Sequence, residues 1–434
     1  MIISNEEQFS EFLSKWNIED SFVDVLFLDP EKHPNNNKIS AVFVQFLSGD
    51  SYILPFHHHD CNNLQLSYLD RLPSSTSNKF CVNKTNILSV LKLKNLIDLK
   101  IRKYLETGIV FDDNKWYTEA HIHYYNTSPL SDLNGIIPIL KHLESFDNMV
   151  KYLRSLITGT FNPWYNDKLP VALSFIEEAG LNCDLNKFVG KVKHLNDTLT
   201  YTHYNIFTAT GRPSNAFGGV NYAALGKSDG SRQGFTSRFD GGKLFQFDYD
   251  AFHIRIIADL IGYDLPKDSI HNWFAEQYFG NIEITDEMYD ESKRISFTNL
   301  YGTSVDDNET IEFFSETYKF RKKLWEYAQT HNHIPSPYTG RKIYLASIDN
   351  VSETKIFNYL LQLLETEHNI GIIYDLMKYM KPMKSKLILY TYDSFLFDVH
   401  PDEVESMNEI KAVIEDGGKY PARLETGTTY HSLS

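Results

Sequence analysis

Apolar and polar positions alternate in SFVDVLFLD (21–29), KISAVFVQFL (38–47) and SYILPF (51–56), which are separated by the turn-rich PEKHPNNN and by SGD. Alternation with period two bounded by turn residues predicts three strands of a hairpin-containing sheet. The pattern then changes to helical spacing in NILSVLKLKNLIDLKIRKYLETG (86–108) and in PLSDLNGIIPILKHLESFDNMVKYLRSLI (129–157). Strands followed by helices predict an α/β unit over residues 1–162. The Pro-, Asn- and Trp-containing break FNPWYNDKLP (161–170) ends it, and a second domain is expected over 163–434.

Beyond the break, LPVALSFIEEAGLNCD (169–184) reads as a helix closed by Gly180, and LTYTHYNIFTATGRPSN (199–215) leads into a loop rich in Gly, Ser and Asn. KLFQFDYD (243–250) reads as a strand and AFHIRIIADLIG (251–262) as the helix behind it. The apolar Ile254, Ile257, Ala258 and Ile261 of that helix recur at helical spacing and predict one face buried against a sheet. EMYDESKRISFTNLYG (287–302) predicts a second helix ending at Gly302. KLILYTYDSFLFDV (386–399) predicts two strands meeting at a tight turn with Asp393 at its tip. No repeat of fixed period and no low-complexity segment interrupts the chain.

With 434 residues, 42% hydrophobic and 14% aromatic, the chain is long enough for two cores and is neither disordered nor collagen-like. Its 3 cysteines, Cys61, Cys81 and Cys183, are too few and too widely spaced for a disulfide framework or a four-cysteine zinc site. The opening residues lack a signal-peptide pattern and no window has the uncharged length of a membrane span, so a cytoplasmic protein with no membrane partner is expected. A net charge of −15 argues at face value against a polyanion partner, but local distribution changes the picture. Residues 317–344 hold six basic residues and one acid, and residues 377–386 hold four basic residues and none acidic. Such runs are either solvated faces or phosphate-binding surfaces.

Candidate chemistry centres on FQFDYDAFHIR (245–255), where carboxylates stand at the end of a run that otherwise reads as a buried strand. Burying an ionised carboxylate costs free energy unless a cation or hydrogen bonds compensate. Asp248 and Asp393 each end an apolar strand, where a sheet can hold the acid rigidly while leaving its oxygens accessible. Two such acids suffice for a pair of Mg²⁺ ions, about 3.5–4 Å apart in two-metal sites, because Mg²⁺ takes few protein ligands. An acid at a strand end is more often a turn former or a helix cap, and Asp250, directly before AFHIRIIADLI, is expected to be an N-cap. On the second helix Lys293, Phe297 and Tyr301 lie at i, i+4 and i+8, placing a cation and two rings on one face. That stripe could hold a triphosphate and stack on a base, or be a core stripe with a snorkelling lysine.

In order and spacing, TGR (210–212), DYDAFHIR (248–255), DSIH (268–271), KRISFTNLYG (293–302), ETKIFNYLLQ (353–362) and YDS (392–394) resemble the family A DNA polymerases, the bacterial polymerase I and phage replicase group. The resemblance runs almost continuously over residues 165–434. It implies a palm and fingers of α+β type, preceded by an exonuclease-like (RNase H-like) α/β domain. It implies that Asp248, the carbonyl of Tyr249 and Asp393 hold two Mg²⁺ ions, and that Lys293 holds the incoming dNTP. Phe297 would lie against its sugar, Tyr301 would guard the template-base position, and His271 would stand near the triphosphate. Arg212, Asn358 and Gln362 would hold primer-template DNA, and Arg255 would support the palm. The function implied is template-directed DNA synthesis in phage replication.

The departures from the family pattern are local. His253 stands where the family has the glutamate that blocks a ribose 2′-hydroxyl. Tyr289 stands where an arginine contacts the terminal phosphate, with Arg294 a candidate substitute. Thr354, with Lys355 adjacent, replaces another arginine, and the turn reads Tyr392, Asp393, Ser394 instead of His-Asp-Glu. Only about twenty-five residues separate LPVALSFIEEAGLNCD from TATGR, where the family inserts a long thumb, so a vestigial thumb, weak grip on DNA and a clamp-like or other replisomal partner are expected. Where exonuclease chemistry would need Asp-x-Glu on the first strand, the chain has Asp24, Val25, Leu26, so the N-terminal domain is expected to be structural. HHHDC (57–61) is expected not to bind metal, because consecutive residues of an extended chain point to opposite sides. Two rivals stand beside a DNA polymerase. One is a polymerase with relaxed ribose selection, or a single-subunit RNA polymerase. The other is a non-catalytic primer-template-binding replisome subunit.

Overall fold

The structure, a computed structural model, describes residues 1–187, 198–215, 220–226, 228–280, 283–302 and 311–433. The chain divides into two compact units, Met1–Ser174 and Phe175–Ser434. The first contains, in chain order, α1 (Glu6–Trp16), β1 (Ser21–Phe27), β2 (Ile39–Phe46), β3 (Ser51–Pro55), β4 (Lys79–Cys81), α2 (Lys84–Leu88) and β5 (Leu96–Asp98). It continues with α3 (Leu99–Thr107), α4 (Glu119–Thr127), α5 (Leu133–Ile136) and α6 (Ile139–Leu153). Helix α7 (Leu169–Ala179) lies at the division in sequence.

The three alternating runs near the N-terminus are β1, β2 and β3, as predicted. Their sheet has the order β3-β2-β1-β4-β5, with β1–β2 and β2–β3 antiparallel and β1–β4 and β4–β5 parallel. Alternation sends successive residues to opposite faces and builds two cores. Val23, Val25, Val42, Val44 and Phe46 meet Phe9, Phe12 and Trp16 of α1 on one side. Phe22, Ala41, Phe43 and Phe80 meet Ile139, Phe146 and Val150 of α6 on the other. The helix predicted over 86–108 is two helices interrupted by β5. In LKLKNLID the buried Leu91 and Leu93 alternate with lysines, a period-two signal submerged in a longer helical one. Asp98 ends the strand and caps α3, accepting from the backbone N–H of Lys100 and Ile101 at 2.8 and 3.0 Å.

The second unit begins with the short strands β6 (Leu181–Cys183), β7 (Leu199–Thr200), β8 (Tyr204–Asn205), β9 (Ser214–Asn215) and β10 (Phe235–Thr236). The segment expected to hold a vestigial thumb lies partly outside the described residues, at 188–197. Then come β11 (Lys243–Tyr249), α8 (Phe252–Ile261), α9 (Ile270–Phe279), α10 (Asp286–Tyr301), α11 (Glu312–His331), β12 (His333–Pro335) and β13 (Lys342–Tyr344). The last elements are α12 (Glu353–Met380), β14 (Lys386–Thr391), β15 (Ser394–Val399), α13 (Met407–Ile414) and β16 (Ala422–Gly427).

Strands β14-β15-β11-β16, in that order, form one antiparallel sheet. The 28-residue α12 packs against α8 and α11 and buries Leu360, Leu361, Leu363, Leu364 and Ile370. Helix α8 buries Ile254, Ile257 and Ala258 of the predicted face, whereas Ile261 is only half-buried, and the helix packs against α11 and α12. Gly180 and Gly302 close α7 and α10 at the expected places. Among the described residues no helix is long and apolar enough to cross a membrane.

Candidate active site

The two candidate aspartates come from adjacent strands of the four-stranded sheet. Asp248, near the end of β11, pairs with Ser394 of β15, and Asp393 is the residue before that partner. The N–H of Tyr249 donates to the carbonyl of Asp393 at 3.2 Å, which ties the hairpin turn to the end of β11. The turn has two residues, Tyr392 and Asp393, between the paired Thr391 and Ser394. Tyr392 has a φ of 61°, and its carbonyl accepts from Asn369 Nδ2 of α12 at 2.8 Å. One strand earlier, the Tyr204 hydroxyl donates to the Tyr390 carbonyl and accepts from the Tyr390 N–H, at 2.9 and 2.8 Å. These buttresses fix the acid's position. Burial first, and then the nearby Glu365 carboxylate, push the Asp393 carboxyl above its ordinary range, while Arg212 and His253 pull it down.

Asp250 is not a helix cap. The residue at the N-cap of α8 is Ala251, in a left-handed conformation with no side-chain cap bond. Asp250 instead accepts from Arg423 Nη2 at 2.7 Å and lies 3.6 Å from Arg255 Nη2. Arg255 also donates to the carbonyls of Asp250, Pro266 and Asp268, so it knits the start of α8 to the loop before α9.

The stripe Lys293, Phe297 and Tyr301 is not core. Helix α10 buries Ser292, Ser296 and Leu300, whereas Lys293 is exposed and Phe297 is 36% exposed. Small serines let α10 lie close to α9, and the Ser292 hydroxyl donates to the His271 carbonyl at 2.8 Å. Phe297 and Tyr301 stack with centroids 6.0 Å apart, and the Lys293 Nζ lies 6.0 Å from the Phe297 ring. His271, buried in α9, meets the rings of Tyr289 and Phe297 edge-on. Burial depresses its imidazole to about 4, so it is neutral near pH 7.

His253 joins this helix to α12. Its Nδ1 lies 2.6 Å from the Tyr301 hydroxyl and its Nε2 lies 2.7 Å from Glu365 Oε2. With Glu365 ionised, Nε2–H donates and, in the neutral ring, Nδ1 accepts the Tyr301 proton. Glu365 is buried and also receives a bidentate pair from Arg212, Nε at 2.8 Å and Nη2 at 2.9 Å. The Arg212 guanidinium lies 3.7 Å above the Tyr392 ring, so the TGR loop, the hairpin turn and α12 converge on one carboxylate. Gly211 has a φ of +71°, in the left-handed region that favours glycine, and a Cβ there would stand 1.6 Å from Arg341 Nη1, so that guanidinium would have to shift. Gln362 accepts from the Thr210 hydroxyl at 3.4 Å. Among the described residues the buried Oδ1 of Asn358 has no hydrogen-bond partner.

Glu365 and Arg423 are the site residues that sequence reasoning missed. Two acids, Glu365 and Glu367, directly after the apolar YLLQLL in the middle of α12 were the available signal for Glu365, because buried carboxylates require partners. The charge runs mislead in the opposite sense. Arg321 and Lys322 pair with Glu353, Lys319 with Glu316, and Lys378 with Asp375. HHHDC also departs from expectation, since β3 ends at Pro55 and the chain turns at 59–60. Donor atoms of His58, Asp60 and Cys61 then lie within 4.8 Å of one another. Direct hydrogen bonds account for them: Asp60 bonds His58 Nδ1 and accepts from the Cys61 thiol, and burial pushes that thiol up to about 12.

The chain superposes on the POL domain of Pol1 from M. smegmatis, solved in complex with DNA primer-template and dNTP, with a TM-score of 0.70 and 100% of both chains covered at 15% identity. The fold is that of a Pol1 polymerase domain. A curated relative, the DNA polymerase of Bacillus phage SP01, is 25% identical over 285 residues, covering 54% of this chain and 31% of its own length. The chain thus spans about a third of that relative. No protein-family model matches. The polymerase fold gives the site its frame: a sheet carrying two acids, with a helix bearing an exposed cation and aromatic stripe. The likeness to DNA polymerases implied by the six motifs is therefore present in both sequence and fold.

Proposed function

We propose that this chain is a template-directed DNA polymerase that extends a primer 3′-hydroxyl with dNTPs in phage DNA replication. The observation that carries the reading is the side-by-side placement of Asp248 and Asp393 on neighbouring strands, joined by the Tyr249–Asp393 backbone bond. Two carboxylates and the Tyr249 carbonyl are a hard-oxygen donor set of the kind Mg²⁺ prefers. A cation there also offsets the cost of burying Asp393, so the residues fit a two-Mg²⁺ site. When bound, such a pair stabilises charge on the attacking and leaving oxygens.

The remaining steps belong to side chains. Lys293 neutralises the triphosphate, and His271 offers a neutral imidazole beside it. Phe297 packs on the sugar, Tyr301 closes the template-base position, and His253, fixed by Tyr301 and Glu365, stands at the ribose 2′ position. Arg212 keeps Nη1 for primer-template DNA while Glu365 takes its other two nitrogens, and Asn358 and Gln362 face the same duplex. Catalysis on this reading is positioning and charge stabilisation.

Primer extension with Mg²⁺ tests it. Asp248→Ala and Asp393→Ala should each abolish extension with unchanged circular dichroism, and activity retained in either refutes the assignment. Short products from the isolated wild-type chain are expected, because a clamp-like or other replisomal partner would supply the grip of a reduced thumb. The paired acids and the exposed Lys293 weigh against a non-catalytic replisome subunit, which needs neither. Parallel assays with dNTPs and NTPs separate a DNA polymerase from one with relaxed ribose selection.

The order β3-β2-β1-β4-β5, three strands antiparallel and two parallel, supports an exonuclease-like, RNase H-like reading of the N-terminal unit. Asp24 accepts from the Val25 N–H, and Leu26 packs toward the α6 core where a second carboxylate would be needed. The unit is therefore a scaffold without nuclease chemistry. Mg²⁺-dependent degradation of single-stranded DNA that Asp24→Ala abolishes would show otherwise.

A further inference from the structure

Arg423 of β16 pairs directly with Asp248 of β11. Directly opposed residues of antiparallel strands project from the same face, so this arginine shares a sheet face with the candidate metal ligand. Its Nη2 donates both to Asp250 Oδ1 and to the Tyr289 hydroxyl, each at 2.7 Å. Tyr289 lies one turn before Lys293 on α10, so the guanidinium reaches the N-terminal end of the exposed cation and aromatic stripe. The side chain is 59% exposed, and among the described residues Nε and Nη1 have no acceptor. Asp250 is shared between Arg423 and Arg255, so its carboxylate is not spent on Arg423 alone. Lys293 and the N-terminal end of the α10 dipole lie alongside. His271 lies within electrostatic reach of both Arg423 and Lys293, which places the two cations around one spot.

A guanidinium that is oriented by a carboxylate and a phenol and keeps free donors is suited to binding phosphate oxygens. We propose that Arg423 binds the terminal phosphates of the incoming nucleoside triphosphate, with Tyr289 holding the guanidinium in place. The inference rests on the polymerase reading. It supplies from β16 the cation that α10 lacks at Tyr289. The exposed Arg294 is a poorer candidate, since its Nε and Nη2 form a paired contact with Glu291, whose carboxylate offsets its charge.

The test uses the full chain on saturating primer-template. Nucleotide affinity is taken from the concentration dependence of single-turnover extension, and dNDP affinity from competition. Arg423→Ala should weaken dNTP binding by about tenfold to a hundredfold. It should weaken dNDP binding less, leaving primer-template affinity by fluorescence anisotropy unchanged, and Arg423→Lys should recover part of the loss. Equal losses for dNTP, dNDP and DNA would make Arg423 a strut between β16 and α10 and overturn the inference. Unchanged dNTP binding in Arg423→Ala with an active wild type also overturns it and leaves the polymerase reading standing. A wild-type chain that extends no primer overturns both.

Discussion

Glu365 has no counterpart among the motifs, yet it organises the centre of the site. It binds Arg212 through two hydrogen bonds and sets the tautomer of His253, which in turn holds the Tyr301 hydroxyl. The proposed sugar gate is therefore an imidazole whose orientation depends on a carboxylate from another helix. Glu365→Gln should loosen that ring and raise NTP incorporation relative to dNTP about tenfold, the scale of one charge-assisted hydrogen bond. The NTP-to-dNTP ratio of kcat/KM measures this, and a ratio equal to wild type would sink the idea. Primer-template affinity reports the loss at Arg212 separately. Asp250 shows how single residues mislead: an acid before a helix has the sequence signature of a cap, and only the fold reveals the arginine on β16 that claims it.

Elements were more legible than their internal contacts. Strands β11, β14 and β15 are short apolar runs bounded by turn residues, so the positions of Asp248 and Asp393 at strand ends could be read directly. Helix α10 was legible as a helix, but which face was buried was not. A lysine and two aromatics read equally well as a core stripe, and the decision came from the serines that pack against α9. Between residues 86 and 108 two periodicities overlap, and local pairing with β4 won over helical propensity. The pairing of β16 with β11 was the least legible feature. Nothing in PARLETG announces a strand neighbour to Asp248, because strand order is a long-range property.

At the scale of the molecule, the mixed α/β character was readable from the change of pattern along the chain. The distribution of charge was not, since half of the conspicuous cations are paired with acids that no run of sequence reveals. The N-terminal unit carries its own pH liability in His58, His121 and His142. Burial lowers all three, His142 to about 3, and His121 Nε2 lies 3.1 Å from His142 Nδ1. A base whose folded pKa is depressed contributes stability that is complete above its unfolded value near 6.5 and is lost as pH falls toward the folded value. His142 thus costs up to about 1.4 kcal/mol per pH unit between 6.5 and about 3. Exchange protection of α6, corrected for intrinsic rates, should fall between pH 7 and pH 5.5, and His142→Leu should shrink the drop. Identical pH profiles for the two proteins would contradict this.

The antiparallel insertion of β16 beside β11 has a consequence in time. Arg423 and Asp250 are 173 residues apart in the chain. At about 5–20 residues per second, on the order of ten seconds or more of synthesis separate them. Until residues 422–427 emerge from the ribosome, the sheet that holds both acids has an open edge and the site lacks its arginine. On this reading a chain cut before residue 422 leaves β11 unpaired on one side and binds dNTP more weakly than the full chain.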